Sequence, residues 1–162
     1  MNKPNRNTAP TASKRYYIPI YTVALVREGN LSQLERPPLT SSRLAADVLM
    51  AYLADADREH LVVLLLNSKN RLLGINTVSI GSLSSSLAHP REVFKPAILA
   101  NAAAVILGHN HPSGDPTPSA EDLALTRRFK EAAELLGIRL LDHIIVGENG
   151  RWYSCVDEGA LA

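Results

Sequence analysis

The chain holds a single cysteine, Cys155, in 162 residues. No disulfide can form within it, and a zinc cluster built on several thiolates is excluded as well. Aromatic residues make up only 5%, so Leu, Val, Ile and Ala have to fill the interior. No apolar stretch approaches the ~20 residues that a membrane-spanning helix requires. The formal net charge is +1, without the basic excess or basic stripe of a dedicated nucleic-acid binder. Acids and bases interleave from Arg43 onward. Met1 to Lys14 lacks the apolar run of a secretory signal, so a reducing, cytoplasmic setting is expected. Apolar residues reach 46% and charged residues 20%. That is a globular balance, able to sustain a buried core without staples.

Three segments are distinguishable. Residues 1–15, rich in Asn, Pro, Thr and Ala, read as a disordered arm. Residues 16–40 form a β-prone extension, with Tyr16, Tyr17, Ile18, Ile20, Tyr21, Val23 and Leu25 ahead of the Arg36-Pro37-Pro38 break. Its exposed edge makes a homodimer plausible. Residues 41–162 form the main domain, expected to be α/β with a mixed β-sheet flanked by helices. Ser41 or Ser42 caps a first helix carrying Leu44, Val48, Leu49 and Leu53. Leu61 to Leu66 reads as a buried strand, Asn67 to Asn70 as a hairpin turn, and Leu72 to Ile80 as the returning strand. A helix is expected over Pro90 to Leu99, kinked or interrupted at Pro96. Ala102 to Leu107 is a second buried run. Ser119 opens the clearest helix, with Leu125, Phe129, Ala132, Ala133 and Leu136 on one face and Gly137 as its stop. Ile138 to Val146 and Trp152 to Ser154 complete the strands.

The chemistry concentrates after the second buried run, in Gly108-His109-Asn110-His111-Pro112-Ser113-Gly114-Asp115-Pro116. Residues two apart on a strand share a face, so His109 and His111 project together. They sit just past a strand end, where open α/β sheets place ligands. The stiff Pro-rich loop then delivers Asp122 into the first turn of the next helix. Two imidazoles and one carboxylate fill three corners of a tetrahedron and leave the fourth for water, the pattern of a catalytic zinc site. Asp122 also lies three residues after Ser119 and fits a capping box. Asp115 is the rival third ligand, although Asp is commonplace in such a turn. Cys155 reads as structural.

The full string, His-Asn-His-Pro-Ser-Gly-Asp-Pro followed by Pro-Ser-x-x-Asp, resembles the JAMM (MPN+, JAB-domain) metalloprotease signature, and its RadC-like branch most closely. His89-Pro90-Arg91-Glu92-Val93-Phe94 and Leu140-Leu141-Asp142-His143-Ile144-Ile145 match that branch too. The resemblance runs from about Ser41 to the C-terminus. It implies a cytidine-deaminase-like core, one zinc ion on His109, His111 and Asp122, and Ser119 as the motif serine that supports an oxyanion. It also implies a glutamate base upstream of the histidines. Glu59, immediately before the first core strand, fits the family pattern, and Glu92 is the alternative. The hairpin and crossover bring both to the histidine end of the sheet. His143 and Asp142 are candidates for orienting the ligands from behind, or ordinary core residues.

What this implies is a hydrolase of peptide or isopeptide bonds acting on a peptide or protein substrate. Two other classes remain. RadC-like proteins carry a DNA-repair label, and longer members have an N-terminal helix-hairpin-helix module. Residues 1–40 hold one glycine, Gly29, and do not resemble that module, so nucleic acid is an unlikely partner. A non-catalytic interaction domain would lack the metal ligands, which are in place here. A zinc nucleobase deaminase needs His-x-Glu and Pro-Cys-x-x-Cys, and neither is present.

Overall fold

The computed structural model describes residue 19 and residues 21–29, 38–81 and 88–161. Residues 21–29 carry neither helix nor strand, with Tyr21, Val23, Leu25 and Val26 exposed. Tyr16, Tyr17, Ile18, Ile20 and the arm at residues 1–15 lie outside the described residues, and with them most of the strand expected to join two copies.

The Ser41 side chain accepts the Leu44 N–H and caps α1 (Ser42–Tyr52), whose Ala45, Ala46, Val48 and Leu49 are buried at helical spacing. β1 (His60–Leu66) is apolar beyond His60 and buried from Leu61 onward, as befits a central strand covered on both faces. The Asn67 side chain then accepts the N–H groups of Lys69 and Arg71 at 2.9 and 3.0 Å. Asn70 takes the left-handed conformation, φ 55°, and the chain returns as β2 (Leu72–Ile80). α2 (Pro90–Leu99) begins at a His89 cap and runs through Pro96 rather than ending there. Pro96 is among the buried residues of this helix. β3 (Ala104–Asn110) extends beyond the apolar run to include His109. α3 (Ala120–Leu136) starts at Ser119 and stops at Gly137, φ 66°. β4 (Arg139–Val146) and the short β5 (Trp152–Ser154) complete the domain.

The five strands form one mixed sheet in the order β2-β1-β3-β4-β5. β1 is antiparallel to both β2 and β3, whereas β4 is parallel to β3 across the α3 crossover. Alternation along the strands divides the core in two. Leu61, Val63, Leu65, Val105 and Leu107 pack toward Val93 and Phe94 of α2 and Leu125 and Phe129 of α3. Val62, Leu64, Leu66, Ala104 and Ile106 pack toward Ala45, Val48 and Leu49 of α1. The result is a three-layer α/β domain. Among the described residues, no helix is long and apolar enough to cross a membrane.

Candidate metal centre

Strand register decides which residues meet. Leu61 stands opposite His109 and His60 opposite Ile80. The start of β1, the end of β2 and the end of β3 therefore share one sheet edge. His109 follows Val105 and Leu107 in the alternation, so it faces the α2–α3 layer, fully buried. His111 lies one residue past β3, where its N–H reaches the Val146 carbonyl at 3.0 Å and prolongs the pairing with β4. Gly114, at φ 78°, then turns the chain toward α3.

Asp115 turns its carboxylate to Thr117, accepting the N–H at 3.1 Å and the hydroxyl at 2.8 Å. It gives His111 only its backbone carbonyl, which accepts from Nδ1 at 2.7 Å. A carbonyl cannot donate, so Nδ1 carries the hydrogen; Nε2 carries one as well when the ring is charged and offers its lone pair when the ring is neutral. Asp115 thus orients a histidine, and the third donor is Asp122. Asp122 Oδ1 lies 3.4 Å from His109 Nε2, and Oδ2 lies 3.5 Å from His111 Nε2. The two Nε2 atoms are 2.9 Å apart.

The cap and the ligand set are one construction. Ser119 donates its N–H and its hydroxyl to Asp122 Oδ2 at 2.7 and 2.6 Å, and its oxygen accepts the Asp122 N–H at 3.1 Å. This capping box fixes the carboxylate at the helix N-terminus, where the dipole favours negative charge. Burial pushes the Asp122 carboxyl upward. Hydrogen bonds from His111 and Ser119, with the field of His109, outweigh burial and hold it well below the usual carboxylate range. The Asp122 hydrogen bond in turn raises His111. His109 is pushed well down by burial and by neighbouring His143.

Glu59 joins this group. Its carboxylate, the two imidazoles and Asp122 each offer a donor atom, and all four lie within 4.8 Å of one another. Glu92 lies apart, with its carboxylate on Lys95 at 2.9 Å and Arg91 at 3.1 Å. Those bonds, Lys95 first, lower its pKa. Glu59, His111, Ser119, Glu121 and Asp122 line an open cavity of about 350 Å³, with Pro112 and Ser113 at its side.

Behind the donors, His143 Nε2 is 2.9 Å from His109 Nδ1, and its Nδ1 is 2.5 Å from Thr126 Oγ1. Burial lowers its pKa to about 4. Asp142 faces the other side of β4. It accepts the N–H groups of His143 and Val156 and the Ser154 hydroxyl at 2.7, 3.1 and 2.6 Å, tying β4 to the C-terminal turn. Cys155 is buried, and burial pushes its thiol up to about 11, the profile of an inert structural cysteine. Two polar contributors were not singled out as site residues in the sequence. Thr126 is one. Asn110 is the other; its side chain accepts the His60 N–H at 2.8 Å and donates to the Arg58 carbonyl at 2.9 Å. A polar residue between two ligand histidines, on the opposite strand face, was the available clue.

The donor set fits a divalent cation. In a tetrahedron with bonds of about 2.0–2.1 Å, ligand atoms stand roughly 3.3 Å apart. The histidine–carboxylate separations, 3.4 Å to Oδ1 and 3.5 Å to Oδ2, are close to that edge but run to different oxygens, and the imidazole pair at 2.9 Å is tighter, so a small adjustment of the carboxylate completes three corners. The neighbouring cavity leaves a corner open.

Comparison with known proteins agrees with this geometry. A model described as "RadC-like JAB domain" matches residues 39–160. A "UPF0758 protein" of Desulfitobacterium hafniense is 51% identical over 128 residues, 79% of this chain and 56% of the relative. Another, of Pelobacter propionicus, is 52% identical over 142 residues, 87% of this chain and 61% of the relative. The chain therefore spans little more than half the length of these relatives. With family model, relatives and side-chain geometry in agreement, the chain belongs to the RadC-like JAB domain family.

Proposed function

We propose that this domain is a zinc-dependent hydrolase of peptide or isopeptide bonds, of the JAMM type, acting on a peptide or protein substrate. One observation carries the reading. Two imidazoles and two carboxylates converge within 4.8 Å, beside a cavity large enough to admit a substrate segment. Zinc suits a histidine–histidine–carboxylate set with an open corner, and when bound it supplies a nucleophilic water near neutral pH and polarises a carbonyl.

His109, His111 and Asp122 would hold the ion. Glu59 stands on the cavity wall, where it takes the proton from the attacking water and hands it to the departing amine. Ser119 faces the same cavity. Its hydroxyl proton rests on Asp122 Oδ2 in this structure, so supporting the substrate oxyanion requires the hydroxyl to rotate toward the cavity.

Metal analysis of purified wild type beside His109→Ala and Asp122→Ala tests the site. One zinc per chain, lost in both variants, is the expected result. Negligible metal in all three would overturn it. Glu59→Gln should retain zinc and lose hydrolysis of the best substrate found by unbiased peptide and isopeptide profiling. Full activity in Glu59→Gln, with loss in Glu92→Gln, would move the base to Glu92.

A further inference from the structure

The hydrogen bonds behind His109 close into a ring whose direction can be assigned atom by atom. Thr126 Oγ1 is 2.6 Å from the Asp122 backbone carbonyl. A carbonyl only accepts, so the single Thr126 hydroxyl hydrogen lies on that contact. Toward His143 Nδ1, at 2.5 Å, Thr126 can then only accept, so His143 Nδ1 carries a hydrogen. His143 is fully buried, in a place where an unpaired charge would be costly, and a neutral ring leaves its Nε2 as an acceptor. His109 Nδ1, 2.9 Å away, must therefore donate. That leaves His109 Nε2 bare, pointing at Asp122 and His111.

We infer that Thr126 and His143 are positioning residues that lock His109 in the tautomer with its hydrogen on Nδ1 and its lone pair on Nε2 facing the candidate metal centre. The ring begins and ends on Asp122. Its backbone carbonyl anchors Thr126 one helical turn on, and its side chain supplies a donor atom to the same centre. It thereby joins α3, β4 and β3, because His143 stands opposite Leu107 on the adjacent strand. His111 is set separately by the Asp115 carbonyl. With His109 Nε2 bare, the His111 Nε2 atom 2.9 Å away calls for a proton or a metal cation between the two nitrogens. A metal-bound histidine usually donates its second N–H to a carboxylate or a carbonyl. Here the acceptor is a neutral imidazole, and the relay ends on a helix carbonyl.

This inference rests on the proposed zinc site for its consequence, but not for its test. The tautomer of His109 is read by long-range proton–nitrogen correlation spectra of the nitrogen-15-labelled protein, with and without zinc. Nδ1 should be protonated in both. A His109 with unprotonated Nδ1 would overturn the assignment. Zinc affinity, from competition with a chromophoric chelator, should fall about 10- to 100-fold in Thr126→Val. Thr126→Ser, which keeps the hydroxyl, should stay within about threefold of wild type. Equal affinity in a folded Thr126→Val would also refute the relay. If Thr126→Val does not fold, the wild-type spectra and Thr126→Ser still decide. A wild type that binds no zinc would sink the proposed function, while the tautomer spectra judged the relay separately.

Discussion

Asn110 holds the chain on both sides of Glu59. Its side-chain oxygen accepts from the His60 backbone and its amide donates to the Arg58 carbonyl, at 2.8 and 2.9 Å. The residue between His109 and His111 thus ties the end of β3 to the approach of β1. A carboxylate that must take a proton from water needs a fixed backbone more than a fixed surface charge. Asn110→Ala should leave zinc affinity within about threefold of wild type. It should lower the turnover of a profiled substrate by tenfold or more. It should also cost about 1–2 kcal/mol in urea unfolding, because the His60 N–H loses its acceptor. Unchanged turnover with unchanged zinc would show that Glu59 needs no such clamp.

Gly108 lets α1 approach the strand that carries His109. A Cβ at this position would stand 2.4 and 2.5 Å from the Leu49 methyl carbons, and Leu49 is fully buried. Gly108→Ala should therefore destabilise by about 1–3 kcal/mol through overpacking. Combined with Leu49→Ala, the loss should be less than the sum of the two single effects, since the truncated side chain makes room. Additive losses in urea unfolding would mean that the added methyl finds space elsewhere.

Legibility in the sequence followed how local the signal was. The elements from Ser42 to Ser154 were readable because their periodicity, caps and turns are encoded in adjacent residues. Ser41, Asn67, Ser119 and Gly137 each mark a boundary through their own backbone chemistry. The apolar run Ala102 to Leu107 alone could not say how far β3 would extend, because His109 joins the ladder by pairing with Leu61 rather than by its own propensity. Pro96 was expected to kink or interrupt α2, and the helix is not interrupted there but continues to Leu99. His109, His111 and Asp122 were readable from one contiguous motif. The family pattern favoured Glu59 over Glu92, and the side-chain contacts bring Glu59, not Glu92, into the donor cluster. Thr126 and Asn110 escaped notice because each acts through contacts with residues far away in sequence, and neither residue type is a metal donor.

Asp142 buries a carboxylate in contact with three donors. Burial raises its pKa, against hydrogen bonds from Ser154, Val156 and His143. The geometry makes this a structural tie for the C-terminal turn. Asp142→Asn retains one acceptor oxygen for the two N–H groups, and its amide can donate to the Ser154 hydroxyl oxygen. Its cost should stay near 1 kcal/mol. Asp142→Ala strands two N–H groups and a hydroxyl, and should cost about 2–4 kcal/mol. Chemical denaturation of the pair measures the contrast. Equal losses in both variants would show that charge, rather than hydrogen bonding, makes the tie.

Acid should loosen the metal-free protein through its buried imidazoles. His143 has a folded pKa near 4 because of burial, below the ordinary histidine value of 6.5. A depressed pKa means that the unfolded chain binds the extra proton first. The associated stability is therefore complete above about pH 6.5 and lost as pH falls toward 4. A displacement of this size corresponds to roughly 3 kcal/mol. His109, also pushed down by burial, acts in the same direction. His111, raised by Asp122, works in the opposite sense near pH 7, but its contribution is nearly complete once the pH is well below 6.5 and opposes the decline little there. Asp122, held low, loses stability only as pH drops below the unfolded carboxylate value. Urea unfolding with chelator present, at steps between pH 7 and pH 4.5, should show stability declining steadily. In His143→Gln the slope should be smaller, since one of the two buried histidines is gone. A profile that stayed flat to pH 4.5 would mean that these imidazoles find protons, or water, more easily than their burial allows.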